Sequence, residues 1–219
     1  GDHRDLHSFP TRRSSDPKQI MFCHEGPWHY VDRTWLIRID GSGLTQVHPR
    51  RMDMEIAGHE FFGPQGKTIW YDLQTPRSLV FWLASYQIET GARVWYHHAR
   101  SEWSVHYNIS PDGNLLAGDG GGPSSVANRS PNRDTFDPPA NGQWIYLFRP
   151  EPIQMRGLPE FAAHQIKVGI LRAEKLVDLS KHNYSLEPNV IFTPDGKWIV
   201  FRSNMFGPAH VFAVEVERR

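Results

Sequence analysis

The sequence predicts an all-β protein, a β-propeller of which about four blades are present. Three observations predict it. A polar residue, a proline-glycine turn and a strand-like run occur in order at HEFFGPQGKTIWYD (His59 to Asp72). The pattern returns at HYNISPDGNLLAGD (His106 to Asp119) and at NVIFTPDGKWIVFR (Asn189 to Arg202). The spacing from Pro64 to Pro111 is that of one propeller blade, a unit of short strands and turns. Aromatic residues make up 12% of the chain and include 8 tryptophans, a composition that suits packed sheets. Equivalent residues of successive blades gather round one axis, so His59, His106 and Asn189 are expected to be neighbours facing it.

Composition narrows the functional classes. Lys plus Arg equals Asp plus Glu at 24 each, which gives no support for nucleic-acid binding. The single cysteine, Cys23, excludes an intrachain disulfide and fits a reducing compartment. No apolar run approaches the ~18 residues of a membrane span, and the visible N-terminus does not read as a signal peptide.

Along the chain, residues 1–16 (GDHRDLHSFPTRRSSD) carry no strand periodicity, and Ser8 to Asp16 resembles the translation of a sequencing-library adapter. They read as a non-native tail, with a partial propeller domain over 17–219. Gln19 to His24 reads as a strand equivalent to Thr68 to Asp72. Thr34 to Asp40 alternates into the turn Gly41-Ser42-Gly43, and Leu44 to His48 follows as an outer strand. The second unit continues with Phe81 to Ile88 and Arg93 to His97, turning at Glu89-Thr90-Gly91. The third opens at Glu102. After Asp119 a polar stretch to Asn141 reads as a long loop on one face. Trp144 to Phe148 is the next strand, and Pro150 to Ala163 reads as a second loop-like insertion. The last unit has Lys197 to Arg202 and His210 to Val216 as strands. With its first blade incomplete, the chain reads as the C-terminal part of a larger ring.

MFCHEGPWHYVDRTW (Met21 to Trp35), AGHEFFGPQG (Ala57 to Gly66), SVHYNISPDG (Ser104 to Gly113) and LEPNVIFTPDGKWIVFRSN (Leu186 to Asn204) together resemble the oligogalacturonate lyases. The resemblance covers nearly all of Pro17 to Glu217, and Cys-His-Glu-Gly-Pro-Trp is its most specific string. It implies a seven-bladed propeller enzyme that cleaves short pectin fragments by β-elimination. The chemistry asks for a base that removes the C5 proton of a uronic acid. It also asks for charge that neutralises the adjacent carboxylate as the intermediate forms. A neutral histidine suits the first role near pH 7, and an arginine with a divalent metal suits the second.

By this resemblance His59 corresponds to the Brønsted base and Arg33 to an arginine beside the base and the substrate carboxylate. Taken alone, a Gly-His pair in a propeller often bonds a turn backbone, and Arg33 could merely pair with Asp32. His24 and Glu25 would bind substrate or hold the site together. His106 corresponds to a manganese ligand. The family's Gln-x-x-His-x-His pattern is absent; alignment on Phe192 to Asp195 puts Tyr184, Glu187 and Asn189 in its place. Oxygen donors there favour Mn²⁺ or another hard cation. His182 could supply a further nitrogen, and Glu187 and Asn189 could otherwise only bond the channel wall. His97, His98, His164 and His210 have no usable spacing, and His97-His98 reads as a solvated strand end.

The expected function is a metal-assisted lyase on oligogalacturonides, without nucleic-acid or membrane partners. The competing reading is a non-catalytic, TolB-like propeller that binds protein or glycan, since fold does not give function. It is separated by the constellation Arg33, His59, His106 and Glu187, which a pure scaffold does not need. A serine-peptidase propeller ranks last, because no Gly-x-Ser-x-Gly motif is present. The resemblance implies a cytoplasmic location, with the periplasm left open.

Overall fold

Alternating apolar residues broken by glycine-proline turns form short antiparallel strands, and the computed structural model describes them over residues 18–122, 125, 143–153 and 166–216. The first sheet is β1 (Gln19–Cys23), β2 (Thr34–Arg38) and β3 (Thr45–Gln46). A four-stranded blade follows, of β4 (Ile56–Phe62), β5 (Thr68–Gln74), β6 (Phe81–Gln87) and β7 (Arg93–His98). The next comprises β8 (Ser104–Ile109), β9 (Leu116–Gly120), β10 (Trp144–Pro152) and β11 (Ile166–Asp178). The last sheet is β12 (Ile191–Phe192), β13 (Trp198–Ser203) and β14 (His210–Glu215). The expected tail at 1–16, most of the stretch to Asn141, and His164 lie outside the described residues.

The architecture is the expected propeller, with one departure. The two middle blades are fused into one 8-stranded sheet through parallel pairing of β7 with the start of β11, Arg93 to His97 against Ile166 to Ile170. The expected insertion from Pro150 is also corrected. β10 runs on to Pro152, pairing with β11 as far as Gly169. Prolines are tolerated there because β9 stops pairing at Phe148, which leaves β10 an edge strand beyond that point. Gly169 permits the fusion: a Cβ on it would lie 2.5 Å from the Tyr96 ring of β7.

The core is three layers between blade faces. Met21, Leu36 and Val47 pack on Ala57, Ile69, Tyr71 and Leu73. Phe61, Trp70 and Leu83 pack on Tyr107, Leu116, Tyr146 and Phe148. Leu115, Ala117 and Leu147 pack on Phe192, Ile199 and Phe201. Period-2 alternation divides β5 between two layers: Ile69, Tyr71 and Leu73 face the first blade, while Trp70 faces the third. Asp72 shares the parity of Trp70, and Asp119 on β9 shares that of Leu115 and Ala117. Each carboxylate therefore falls at the end of an apolar stripe, at the joint with the following blade.

The outermost faces have no neighbour among the described residues. Ile20, Phe22 and Leu44 are exposed at one end, and Ile191, Trp198 and Val211 at the other. Apolar faces of this kind favour association. The 219-residue chain is expected to show concentration-dependent association in sedimentation equilibrium. Placing aspartates at Ile20 and Phe22 should weaken it by about tenfold or more, since a charge buried without a partner is costly. A monomer at all concentrations would contradict this.

Candidate active site

Two histidines are aimed by the same backbone device. β4 pairs regularly with β5 as far as Gly58 opposite Asp72, then slips register before Phe61, and His59 in the slip takes φ 46°. β8 slips between Ser104 and Tyr107, with His106 in the slip. Such bulges re-aim a side chain out of the sheet's alternation. In each case the ring Nδ1–H donates to a carboxylate 13 residues on, His59 to Asp72 Oδ1 at 3.0 Å and His106 to Asp119 Oδ2 at 2.9 Å. Both carboxylates are 1% exposed. The bond fixes each ring's orientation and leaves Nε2 without a hydrogen bond among the described residues. The two rings meet edge-on with centroids 5.4 Å apart.

Arg33 begins the run into β2 and is 8% exposed. One guanidinium nitrogen donates to the Gly26 carbonyl at 3.2 Å and lies 3.8 Å from the exposed Glu25 carboxylate. The buried Nε has no hydrogen-bond partner among the described residues. The guanidinium lies over the Trp28 ring, 4.2 Å from its centroid, and Trp28 in turn lies 5.2 Å from the His59 ring. His24 is exposed, its backbone N–H bonded to the Arg33 carbonyl. With Glu25 it lines a hollow of about 480 Å³ walled by Phe22, Cys23, Trp35 and Leu44.

On the other side, His106 Nε2 lies 3.8 Å from Glu187 Oε2. Asn189 takes φ 52°, donates its backbone N–H to Asp119 Oδ2 at 2.9 Å, and bonds the Glu187 carbonyl through Nδ2 at 3.3 Å. Asp119 thus accepts from Asn189 and from both the ring and the backbone N–H of His106. The structure brings together Arg33, His59, His106, Glu187 and Asn189.

His182 is corrected. It is buried in the loop between β11 and β12, where Nε2–H donates to the Leu186 carbonyl at 2.6 Å and Nδ1 accepts from Ser203 Oγ of β13 at 2.8 Å. With both nitrogens engaged, it holds the loop before Asn189 and offers no lone pair to a metal. Tyr184 packs its ring against Gly122. His106 and Glu187 suit a metal in chemistry and spacing, since two ligands at ~2.1 Å from one ion stand about 3–4 Å apart. Among the described residues, however, no group of three or more His, Cys, Asp or Glu is arranged to hold one.

Burial disfavours a charged His106, but the Asp119 carboxylate, with Glu187 and Asp72 beyond it, outweighs this and pushes its pKa up to about 9. The folded-state pKa stands above the ordinary value of 6.5. Its contribution to stability is therefore complete below that ordinary value and is lost as pH rises through about 9. In a chelator, the melting temperature is expected to fall between pH 6.5 and 9, and His106→Gln should flatten that fall. An unchanged slope in the variant would assign the titration elsewhere.

The family model described as oligogalacturonate lyase matches residues 3–218. The chain belongs to the oligogalacturonate lyase family. It is 28% identical over 211 residues to the oligogalacturonate lyase of Dickeya dadantii, covering 94% of this chain and 49% of that protein. The chain spans about half the length of the curated relatives it matches. A solved oligogalacturonate lyase in complex with manganese superposes with a TM-score of 0.68 at 23% identity, covering 96% of this chain and 48% of that one. TolB from Acinetobacter baumannii superposes with a TM-score of 0.53 at 15% identity, covering 91% of this chain and 39% of that one, and shares the fold. Among the described residues no helix is long and apolar enough to cross a membrane.

Sequence reasoning missed Asp72, Asp119 and Trp28. The two aspartates had a signal, the equal spacing of His59 to Asp72 and His106 to Asp119. His98 was misread as solvated. It is 2% exposed, donates from Nδ1 to the Ala99 carbonyl, and accepts from the Tyr107 hydroxyl. Burial pushes its pKa down to about 3, so it is a neutral packing residue.

Proposed function

We propose that the protein containing this chain is a lyase that cleaves oligogalacturonides by β-elimination, with His59 as the base that removes the C5 proton. The observation that carries the reading is the contiguous row Arg33, Trp28, His59, His106, Glu187, in which His59 is bonded at Nδ1 to buried Asp72. His59 Nε2 is the atom that would accept the proton. The Arg33 guanidinium, held by the Gly26 carbonyl and the Trp28 ring, carries the charge suited to the uronate carboxylate, whose own charge grows as the proton leaves. His106 and Glu187, with Asn189, would hold a divalent cation such as Mn²⁺, which would supply further neutralisation of that carboxylate. His24 and Glu25 would border the substrate. A propeller that only binds a partner has no use for two histidines each held by a buried carboxylate.

The test is the full-length protein with di- and trigalacturonate and Mn²⁺. Elimination leaves a C4–C5 double bond conjugated to the carboxylate, so ultraviolet absorbance should rise with bond cleavage. Cleavage without that absorbance would indicate hydrolysis, and no cleavage with or without Mn²⁺ would overturn the reading.

A further inference from the structure

We propose that Trp28 is a positioning residue that holds Arg33 and His59 at a set separation, an inference that rests on the lyase reading above. The indole touches both. Arg33 covers one face at 4.2 Å, and the His59 ring stands 5.2 Å away at 55°. The third contact is the backbone of β4 at Gly58, the residue directly before His59. A Cβ there would stand 2.5 Å from Cζ3 and 2.8 Å from Cη2 of the indole, so the ring sits where a side chain would otherwise be. Trp28 therefore rests on the strand at the point where it bulges to turn His59 inward.

The polar contacts of Arg33 are too few to fix its guanidinium. One nitrogen bonds the Gly26 carbonyl, the Glu25 carboxylate stands 3.8 Å off and is 57% exposed, and Nε is unpartnered among the described residues. An attraction between guanidinium and indole face sets the plane in which Nε points. Arg33 already occupies one face and Gly58 with His59 takes an edge, which leaves a sugar at most the other face. The ring acts through the two residues it touches. Both groups must meet one uronate, so a change in their separation lowers turnover more than binding.

The test uses full-length protein with Trp28→Leu, Trp28→Phe and Gly58→Ala. The last pushes the ring aside from the strand without removing any of it. Trp28→Leu and Gly58→Ala should each lower kcat on digalacturonate by about 10- to 100-fold, as expected for misplaced reacting groups. KM should change by less than about threefold, and Trp28→Phe should recover most of the loss. NMR of arginine-labelled protein supplies a readout without turnover. The Arg33 Nε–H proton, shielded by the indole, should move to the position of a free arginine in Trp28→Leu and remain partly shielded in Trp28→Phe. If Trp28→Leu does not fold, Gly58→Ala and Trp28→Phe carry the test. A wild-type Arg33 resonance at the free position would overturn the inference whatever the activity. So would a rise in KM alone, the mark of a sugar-stacking platform. Wild-type protein inactive on oligogalacturonides would instead overturn the lyase reading, with the NMR comparison still deciding whether Trp28 holds Arg33.

Discussion

Replacing His59 with alanine in the full-length protein is expected to lower kcat on digalacturonate by about 10²- to 10⁴-fold, the usual loss of a general base. Manganese affinity should stay close to wild type, because the cation donors are on the neighbouring blades. The companion change is Asp72→Asn. Asp72 only accepts a hydrogen bond, so it holds the Nδ1–H tautomer with Nε2 free. An asparagine can turn its amide N–H toward Nδ1, which stabilises the other tautomer and puts a proton on Nε2 where the lone pair is needed. The loss should approach that of His59→Ala, as in other sites where a carboxylate orients a catalytic histidine. Stopped assays over pH would separate the two variants. If His59→Ala turns over normally, elimination can stand, but the base lies elsewhere, and His24 is next to test.

Asp119→Ala should be the most destabilising change at the site, at about 3 kcal/mol by urea unfolding of the metal-free protein. The carboxylate is 1% exposed and accepts three N–H donors, two from His106 on β8 and one from Asn189 ahead of β12. Its removal leaves the two backbone donors unsatisfied and strips the His106 ring of its closest counter-charge. The Glu187 carboxylate, 41% exposed and 3.8 Å away, is too solvated to replace it. Cation affinity should also fall by about 10- to 100-fold, as when a carboxylate that orients a ligating histidine is lost. Asp119→Asn, which keeps one acceptor oxygen, should cost less in stability. A urea midpoint for Asp119→Ala equal to wild type would show that these bonds do not join the two blades.

The propeller was legible because its signals are local. Ile69 to Tyr71 alternate between two buried layers, Trp198 to Phe201 alternate between one buried layer and the exposed outer face, and Gly63-Pro64-Gln65-Gly66 and Pro111-Asp112-Gly113 supply the turns. β11 left no comparable trace. Its residues vary between buried and exposed along the strand, because Ile166 to Ile170 pair with β7 of another blade while Leu171 onward pairs with β10 alone.

The sequence by itself determined the blade repeat and most of its strands, but not β11 or its pairing. It also determined the equivalence that set His59 and His106 at matching places, since those depend on residue spacing and turn chemistry. Only the tertiary structure decided which nitrogen of which histidine is free. His59, His106, His182 and His98 are alike as letters. The first two keep Nε2 for the site because bulges and buried aspartates hold them by Nδ1, whereas His182 and His98 spend both nitrogens on their surroundings. The tertiary structure also decided that Trp28 touches both Arg33 and His59, because that contact depends on how a loop of one blade packs against a glycine in the next.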